Sequence, residues 1–390
     1  MSNRKITETI PVAPLKIIPM ENCLALGAKI DQCIVEARRA MLESHEALPA
    51  FLGYDNSTYL VSYDIPRFGT GEAKAVINET IRGCDLFLVA DVTNYSNHYM
   101  MFGEDSIKSP DDHFQDLKRV IAAAKISKVK RVNVILPFLY EGRQHHRDKL
   151  ESLDCALALQ ELSEMGVENI ITFDAHDPRI QNSIPIRGFD NFYTSLQFIR
   201  ELLFIEKDLI IDKDHLMVIS PDEGGMTRAV YYANVLGGEM GMFYKRRDYS
   251  TIIDGRNPII AHEFLGSSLE GKDVFIVDDI ISSGDSIIDV AKELKRRKAG
   301  RVFIAATFGL FCNGLEKIDE YYEAGYIDRI YTTNLVYNKE ELLKRPYYRN
   351  VDLSRYISLI VDTLNHDTSV NDIINPVTLI QELLNSYRTK

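Results

Sequence analysis

Short apolar runs recur along the chain, each closed by turn residues and followed by a stretch of helical spacing. One set lies at 86–90, 132–136 and 170–173, a second at 216–219, 241–244, 274–277 and 302–306. Uninterrupted runs of this length predict strands of a parallel sheet buried on both faces. Between them, 117–128, 153–165 and 227–236 place apolar residues at intervals of three and four, which predicts helices. This alternation specifies the α/β class, with parallel sheets flanked by helices, in two copies of one architecture. The segment 178–191, rich in turn formers and carrying Pro185 and Gly188, is the expected boundary between the copies. A helical pattern over 24–44 precedes an irregular stretch at 49–57, and the polar 103–112 reads as a surface loop. The expected organisation is a domain over 1–187, a second over 188–345 and a helical tail over 346–390.

Composition narrows the classes. In 390 residues, 45% are hydrophobic and 26% charged, as in an ordinary soluble globular protein. The net charge of -12 disfavours a nucleic-acid partner, and any phosphate ligand must be met by locally gathered cations. Cys23, Cys33, Cys84, Cys155 and Cys312 are scattered, with no CxxC pair, which points to reduced thiols. The first fourteen residues lack the apolar core of a signal peptide, and no apolar run approaches the ~20 residues needed to cross a membrane. A cytoplasmic protein with no membrane partner is expected.

The sharpest chemical signal is Val274-Phe-Ile-Val-Asp278-Asp279-Ile-Ile-Ser282-Ser283-Gly284-Asp285-Ser286. An apolar strand ends in two carboxylates, and a hydroxyl-rich turn opens a helix at about Ser286. Backbone N–H groups of the turn and the helix N-terminus suit a phosphate, with hydroxyls from Ser282, Ser283 and Ser286. The paired carboxylates suit vicinal sugar hydroxyls. A second turn, Ser220-Pro221-Asp222-Glu223-Gly224-Gly225, follows another strand. Its glycines allow close approach to a diphosphate, and Asp222 is a candidate Mg²⁺ ligand. Lys245-Arg246-Arg247 and Arg143-Gln144-His145-His146-Arg147 gather positive charge. Gly266 to Lys272 nearly spells a Walker A loop, but Asp273 replaces the hydroxyl residue and a strand follows where a helix is required. It reads as a turn before that strand.

Taken in order, these segments resemble the ribose-phosphate diphosphokinase family of the phosphoribosyltransferase fold. The segment 278–286 is similar to its phosphoribosyl-diphosphate loop, Arg82-Gly83-Cys84-Asp85 to its Arg-Gly-x-Asp strand, and Pro137-Phe138 with Arg143-Gln144 to its Pro-Tyr and Arg-Gln segment. Asp174-Ala175-His176 resembles its Asp-x-His segment, 220–225 its Ser-Pro-Asp-x-Gly-Gly loop, and 245–247 its catalytic flexible loop. The set spans about 67–334. The chain departs from the pattern at Thr70 in the Phe68-Gly-Thr-Gly-Glu72 hairpin, at His145-His146, and at Asp285. It also carries extra length around 24–56, 103–112 and 248–270.

The resemblance implies two phosphoribosyltransferase-like domains, an ATP side first and a ribose 5-phosphate side second, with the active site between them. It implies diphosphoryl transfer from ATP to the 1-hydroxyl of ribose 5-phosphate. Phe68, Glu72, Arg143 and Gln144 would hold ATP. Asp222, Asp278, Asp279, Ser282, Ser283, Gly284 and Ser286 would hold the sugar phosphate. His176 and Asp222 would organise Mg²⁺, and Lys245 and Arg247 would act in catalysis. A homo-oligomer, dimer or hexamer, is implied by Phe68 and Glu72 reaching a neighbouring subunit. A non-catalytic regulatory paralogue and a nucleobase phosphoribosyltransferase stand as alternatives.

Overall fold

Each half of the structure is built on one largely parallel sheet. The computed structural model describes residues 9–44, 53–247 and 259–388; at 245–247 and 259–262 it describes the backbone alone. The chain divides into two compact units. The first comprises Met1–Tyr193, Asn334–Tyr337 and Asp352–Asn375; the second comprises Thr194–Thr333, Asn338–Val351 and Pro376–Lys390.

The first unit holds a five-stranded parallel sheet: β1 (Leu15–Pro19), β2 (Asp85–Val89), β3 (Arg131–Ile135), β4 (Asn169–Phe173) and β5 (Gly188–Phe192), in that spatial order. All five residues of β2 are buried, as expected of a strand covered on both faces. Helix Pro110–Ile126 starts on a capping box: Ser109 Oγ accepts from Asp112 N, and Asp112 Oδ2 accepts from Ser109 N at 2.9 Å. Pro110 at the first helical position adds a pre-set φ.

The second unit holds a seven-stranded sheet. Its strands are β6 (Leu216–Ser220), β7 (Glu239–Arg247), β8 (Ile259–Leu265), β9 (Asp273–Ile281), β10 (Val302–Gly309), β11 (Arg329–Thr333) and β12 (Tyr348–Val351), in the order β8-β7-β6-β9-β10-β11-β12. All neighbours are parallel except β7 and β8. The buried core of this sheet includes Met217, Ile219, Val274, Ile276, Val302 and Ile304.

Several segments differ from the sequence expectation. The stretch 178–191 contains most of β5, and the chain passes to the second unit after Tyr193. This edge strand, Gly-Phe-Asp-Asn-Phe, is half-exposed over four of its five residues and interrupted by Asp190 and Asn191, so no apolar run marks it. Gly188 serves close packing there, since a Cβ would lie 2.2 Å from Asn169 Oδ1. The polar stretch at 103–112 supplies strand Glu104–Ile107, which pairs with His98–Met101, and then the first turn of the capped helix. Within 248–270, Ile259–Leu265 is a strand, while 248–258 lie outside the described residues. The final segment does not stand apart as a tail: β12 extends the second sheet, and helix Ser354–Asn365 packs on Leu24–Glu43 in the first unit. The buried ion pair of Arg38 with Asp362, at 2.6 Å, and the bond from Arg38 to Asn365, at 2.8 Å, hold that contact. An unpaired charge at either position would cost several kcal/mol, on the order of 3–5.

Candidate active site

In the second unit, the two turns expected to bind phosphate follow adjacent strands. Strands β6 and β9 pair in parallel, Val218 with Phe275 and Ile219 with Ile276, so both turns emerge at the carboxyl edge of one sheet. That edge is where open α/β sheets bind ligands. After β6, Ser220 Oγ donates to Asp222 O at 2.6 Å, and Gly225 N donates to Asp222 Oδ1 at 3.2 Å. A Cβ on Gly225 would meet Ser220 Oγ at 2.9 Å. The turn therefore closes tightly enough to need glycine, and helix Met226–Leu236 begins at once.

The acidic pair sits within β9, which continues past both residues to Ile281. Asp279 is buried and Asp278 half-buried, and Asp279 N donates to Asp278 Oδ1 at 2.9 Å. Burial and the charge of Asp279 push the Asp278 carboxyl well above its ordinary range, with Arg228 opposing. Arg228 Nη1 lies 3.6 Å from Asp278 Oδ1 and 3.5 Å from Asp279 Oδ1.

Gly284, at φ +89°, caps helix Asp285–Arg296. Asp285 N donates to Ser283 Oγ at 3.3 Å, and Cys312 N ties Ser282 O at 2.8 Å. Ser282 and Ser283 are half-buried and Ser286 exposed, so the turn faces outward. The Lys317 ammonium pairs with Asp285 and holds that carboxylate below its usual range. The helix itself is strongly two-sided: Ile287, Ile288, Val290, Ala291 and Leu294 are buried, with Lys295 and Arg296 in its last turn.

In the first unit, Phe68 and Glu72 flank a short exposed hairpin, with Phe68 N donating to Glu72 O at 2.8 Å and Gly71 N to Phe68 O at 2.9 Å. Thr70 Oγ1 donates to Glu72 Oε2 at 3.0 Å. After β3, Arg143 is exposed, whereas the Gln144 side chain donates to Ser152 O at 2.9 Å and so braces its own loop. No hydrogen bond or ion pair joins Phe68 or Glu72 to Arg143 or Gln144 among the described residues. After β4, His176 is exposed, and its ring meets His145 edge-on at 5.3 Å between centroids. His145 Nε2 lies 3.5 Å from Asp177 Oδ2, while its Nδ1 is buried without a partner among the described residues. Burial lowers the His145 pKa, with Asp177 opposing. Arg179 holds the Asp177 carboxyl down at about 2, chiefly by hydrogen bonding.

Residues 15–166 match the model of the N-terminal domain of ribose phosphate pyrophosphokinase, and 189–334 match the phosphoribosyl transferase domain. The ribose-phosphate pyrophosphokinase of Thermotoga maritima is 30% identical over 280 residues, covering 71% of this chain and 79% of that protein. The chain belongs to the ribose-phosphate pyrophosphokinase family. The Chlorobaculum tepidum ribose-phosphate pyrophosphokinase is 26% identical, covering 90% of this chain and 98% of its own length. The fold matches that of phosphoribosylpyrophosphate synthetase from Mycobacterium smegmatis, with a TM-score of 0.69 at 18% identity, covering 90% of this chain and 99% of that one.

Within this member of the pyrophosphokinase family, the residues expected for the sugar phosphate share one sheet edge. Lys245 and Arg247 end β7, the neighbour of β6, as backbone; their side chains lie outside the described residues. The Walker-like segment is a turn: Gly271 adopts φ +76° before β9, and Lys272 is tied to Glu239 at 3.0 Å. Sequence reasoning missed Arg228. A signal was present, because a cation in the first turn of a helix opposes the macrodipole and so calls for carboxylate partners. It also missed Lys317, which lies far along the chain and meets Asp285 only through the packing of the next helix.

Among the described residues no group of three or more His, Cys, Asp or Glu stands close enough to hold a metal ion, and Asp222 is the one expected ligand in the second unit. One of its oxygens accepts Gly225 N, and no described residue hydrogen-bonds to the other. A carboxylate oxygen is the donor that Mg²⁺ prefers.

Proposed function

We propose that this protein transfers the diphosphoryl group of ATP to the 1-hydroxyl of ribose 5-phosphate, giving phosphoribosyl diphosphate and AMP. The observation that carries this reading is the pair of turns at Asp222-Glu-Gly-Gly and 278–286, on two hydrogen-bonded parallel strands of a pyrophosphokinase-family chain. The ribose O1 attacks the β-phosphorus of ATP. The new bond is O1–Pβ, the bond to the α,β-bridging oxygen breaks, and the diphosphoryl group moves as a unit.

The outward-facing turn of Ser282, Ser283, Gly284 and Ser286 receives the 5-phosphate, using backbone N–H groups and the helix N-terminus. Asp278 and Asp279 accept hydrogen bonds from the vicinal hydroxyls, and the Arg228 charge favours the ionised form of Asp278. Gly224 and Gly225 let backbone approach the diphosphate closely. Asp222, with His176 on the nucleotide side, would hold Mg²⁺, which neutralises phosphate charge when bound. Phe68, Glu72, Arg143 and Gln144 form the ATP side, and Lys245 and Arg247 offset charge on the transferring group. The active species is a homo-oligomer.

The test is nucleotide analysis after incubation with Mg²⁺, ATP and ribose 5-phosphate. AMP formed in step with ribose 5-phosphate consumption is expected. ADP as the sole nucleotide product rejects diphosphoryl transfer, and no turnover with any nucleotide points to a regulatory paralogue.

A further inference from the structure

We propose that the hairpin formed by His98–Met101 and Glu104–Ile107 is a brace that positions the Phe68-to-Glu72 loop for nucleotide. Its second strand falls in 103–112, where the family resemblance implies extra length. The proposal rests on the assignment of Phe68 and Glu72 to ATP.

The loop at 68–72 is exposed at Phe68, Gly69, Thr70 and Glu72. Its own cross-loop bonds are few, and a hairpin of this size is marginal without packing. The 98–107 hairpin supplies that packing from one side. At its tip, Phe102 N donates to Gly69 O at 2.7 Å. Beside the tip, Met101 Sδ lies 2.9 Å from where a Cβ on Gly71 would stand, with the Tyr99 ring at 3.6 Å. Gly71 also adopts φ +91°, a conformation that disfavours any residue but glycine, and a Cβ there would have to displace the Met101 thioether.

Arg67 couples the two hairpins. Its Nη1 donates to Gly71 O at 2.9 Å, and its guanidinium lies over the Tyr99 ring at 4.4 Å. It also pairs with buried Asp116 on helix Pro110–Ile126. Asp116 receives Lys108 at 3.2 Å and Arg119 at 2.6 Å as well, and Lys108 N closes the foot of the 98–107 hairpin by donating to Asn97 O at 2.9 Å. One carboxylate thus anchors both Arg67 and the foot of the brace. Arg67 Nε is buried without an acceptor among the described residues. The bonds from Nη1 and Nη2 and the ring contact therefore hold the guanidinium in place.

A loop held in its bound shape loses less conformational freedom when it takes ligand. Tyr99→Ala removes the ring from under Arg67 and from beside Gly71, and leaves every residue of the 68–72 loop unchanged. It is expected to raise KM for ATP about five- to twentyfold by restoring that ordering cost, with KM for ribose 5-phosphate and kcat at saturating ATP within about twofold. Tyr99→Phe keeps the ring and is expected to recover most of the ATP affinity. Hydrogen exchange of the peptide spanning 68–72, measured without ligand, should quicken in Tyr99→Ala, and in the milder Met101→Ala if the first variant folds poorly.

Unchanged exchange in the folded variants overturns the brace. An unchanged KM for ATP in Tyr99→Ala also overturns it when Phe68→Ala raises that KM. If Phe68→Ala leaves the KM unchanged too, the assignment of Phe68 to ATP falls instead, and the claim that the brace serves nucleotide falls with it.

Discussion

Arg228 Nη1 stands 3.5 Å from Asp279 Oδ1 and 3.6 Å from Asp278 Oδ1, reaching from the helix after the 220–225 turn to the strand before the 282–286 turn. The contact is too long for a good hydrogen bond and acts mainly through charge. Its consequence is a pH dependence. Burial and Asp279 raise the Asp278 carboxyl, so the folded protein keeps a proton that the unfolded chain has released. That contribution to stability is present at low pH and is lost as pH rises from the ordinary carboxylate range through the folded value. The same ionisation creates an acceptor for a sugar hydroxyl, so KM for ribose 5-phosphate should fall across that window. Arg228→Gln removes the opposing cation and should shift the window upward. Superimposable pH profiles of KM for the two proteins would refute this.

Asp278→Asn and Asp279→Asn test the acceptor role. Each loses a charge-assisted bond to a hydroxyl, which costs roughly 1.5–3 kcal/mol when buried. The loss should appear in kcat/KM for ribose 5-phosphate, with KM for ATP little changed. Equal sugar kinetics in both variants and the parent would remove the acidic pair from the site.

Gly284→Ala tests the phosphate turn through its backbone. The residue adopts φ +89°, and an added Cβ would lie 3.2 Å from Ile318 Cδ1. A left-handed alanine costs roughly 1–2 kcal/mol. A lower Tm together with a raised KM for ribose 5-phosphate is expected. A lower Tm with unaltered sugar affinity would make this glycine a purely conformational requirement.

Lys245→Ala tests the catalytic cation implied by the family resemblance. A cation that acts where charge develops lowers the barrier more than it improves ground-state binding. The variant should lose about 10²–10³ in kcat, the usual loss for one preorganised electrostatic donor. KM for either substrate should change far less. Lys245→Arg should rescue only in part, because a planar fork does not place charge as a compact ammonium does. Near-normal kcat in a folded Lys245→Ala protein would end the assignment.

The α/β class and the central strands were legible in the sequence because buried parallel strands leave uninterrupted apolar runs, as at Asp85–Val89 and Leu216–Ser220. The two turns proposed to bind phosphate were legible as turns for a related reason. A turn that brings backbone to a phosphate is written locally, in glycines, hydroxyls and carboxylates a few residues apart. Edge strands were not legible, since half-exposed β5 has no apolar run, and β12 is too short to stand out. Tertiary structure alone decided the return of Ser354–Asn365 to the first unit, where Arg38 and Asp362 meet across 324 residues. It alone set Arg228 against Asp278 and Asp279, and the 98–107 hairpin against Gly69 and Gly71. These relations depend on which surfaces pack together. Local sequence fixes the conformation of each segment, but the partner of a charge or a loop is chosen by the long-range packing that buries them.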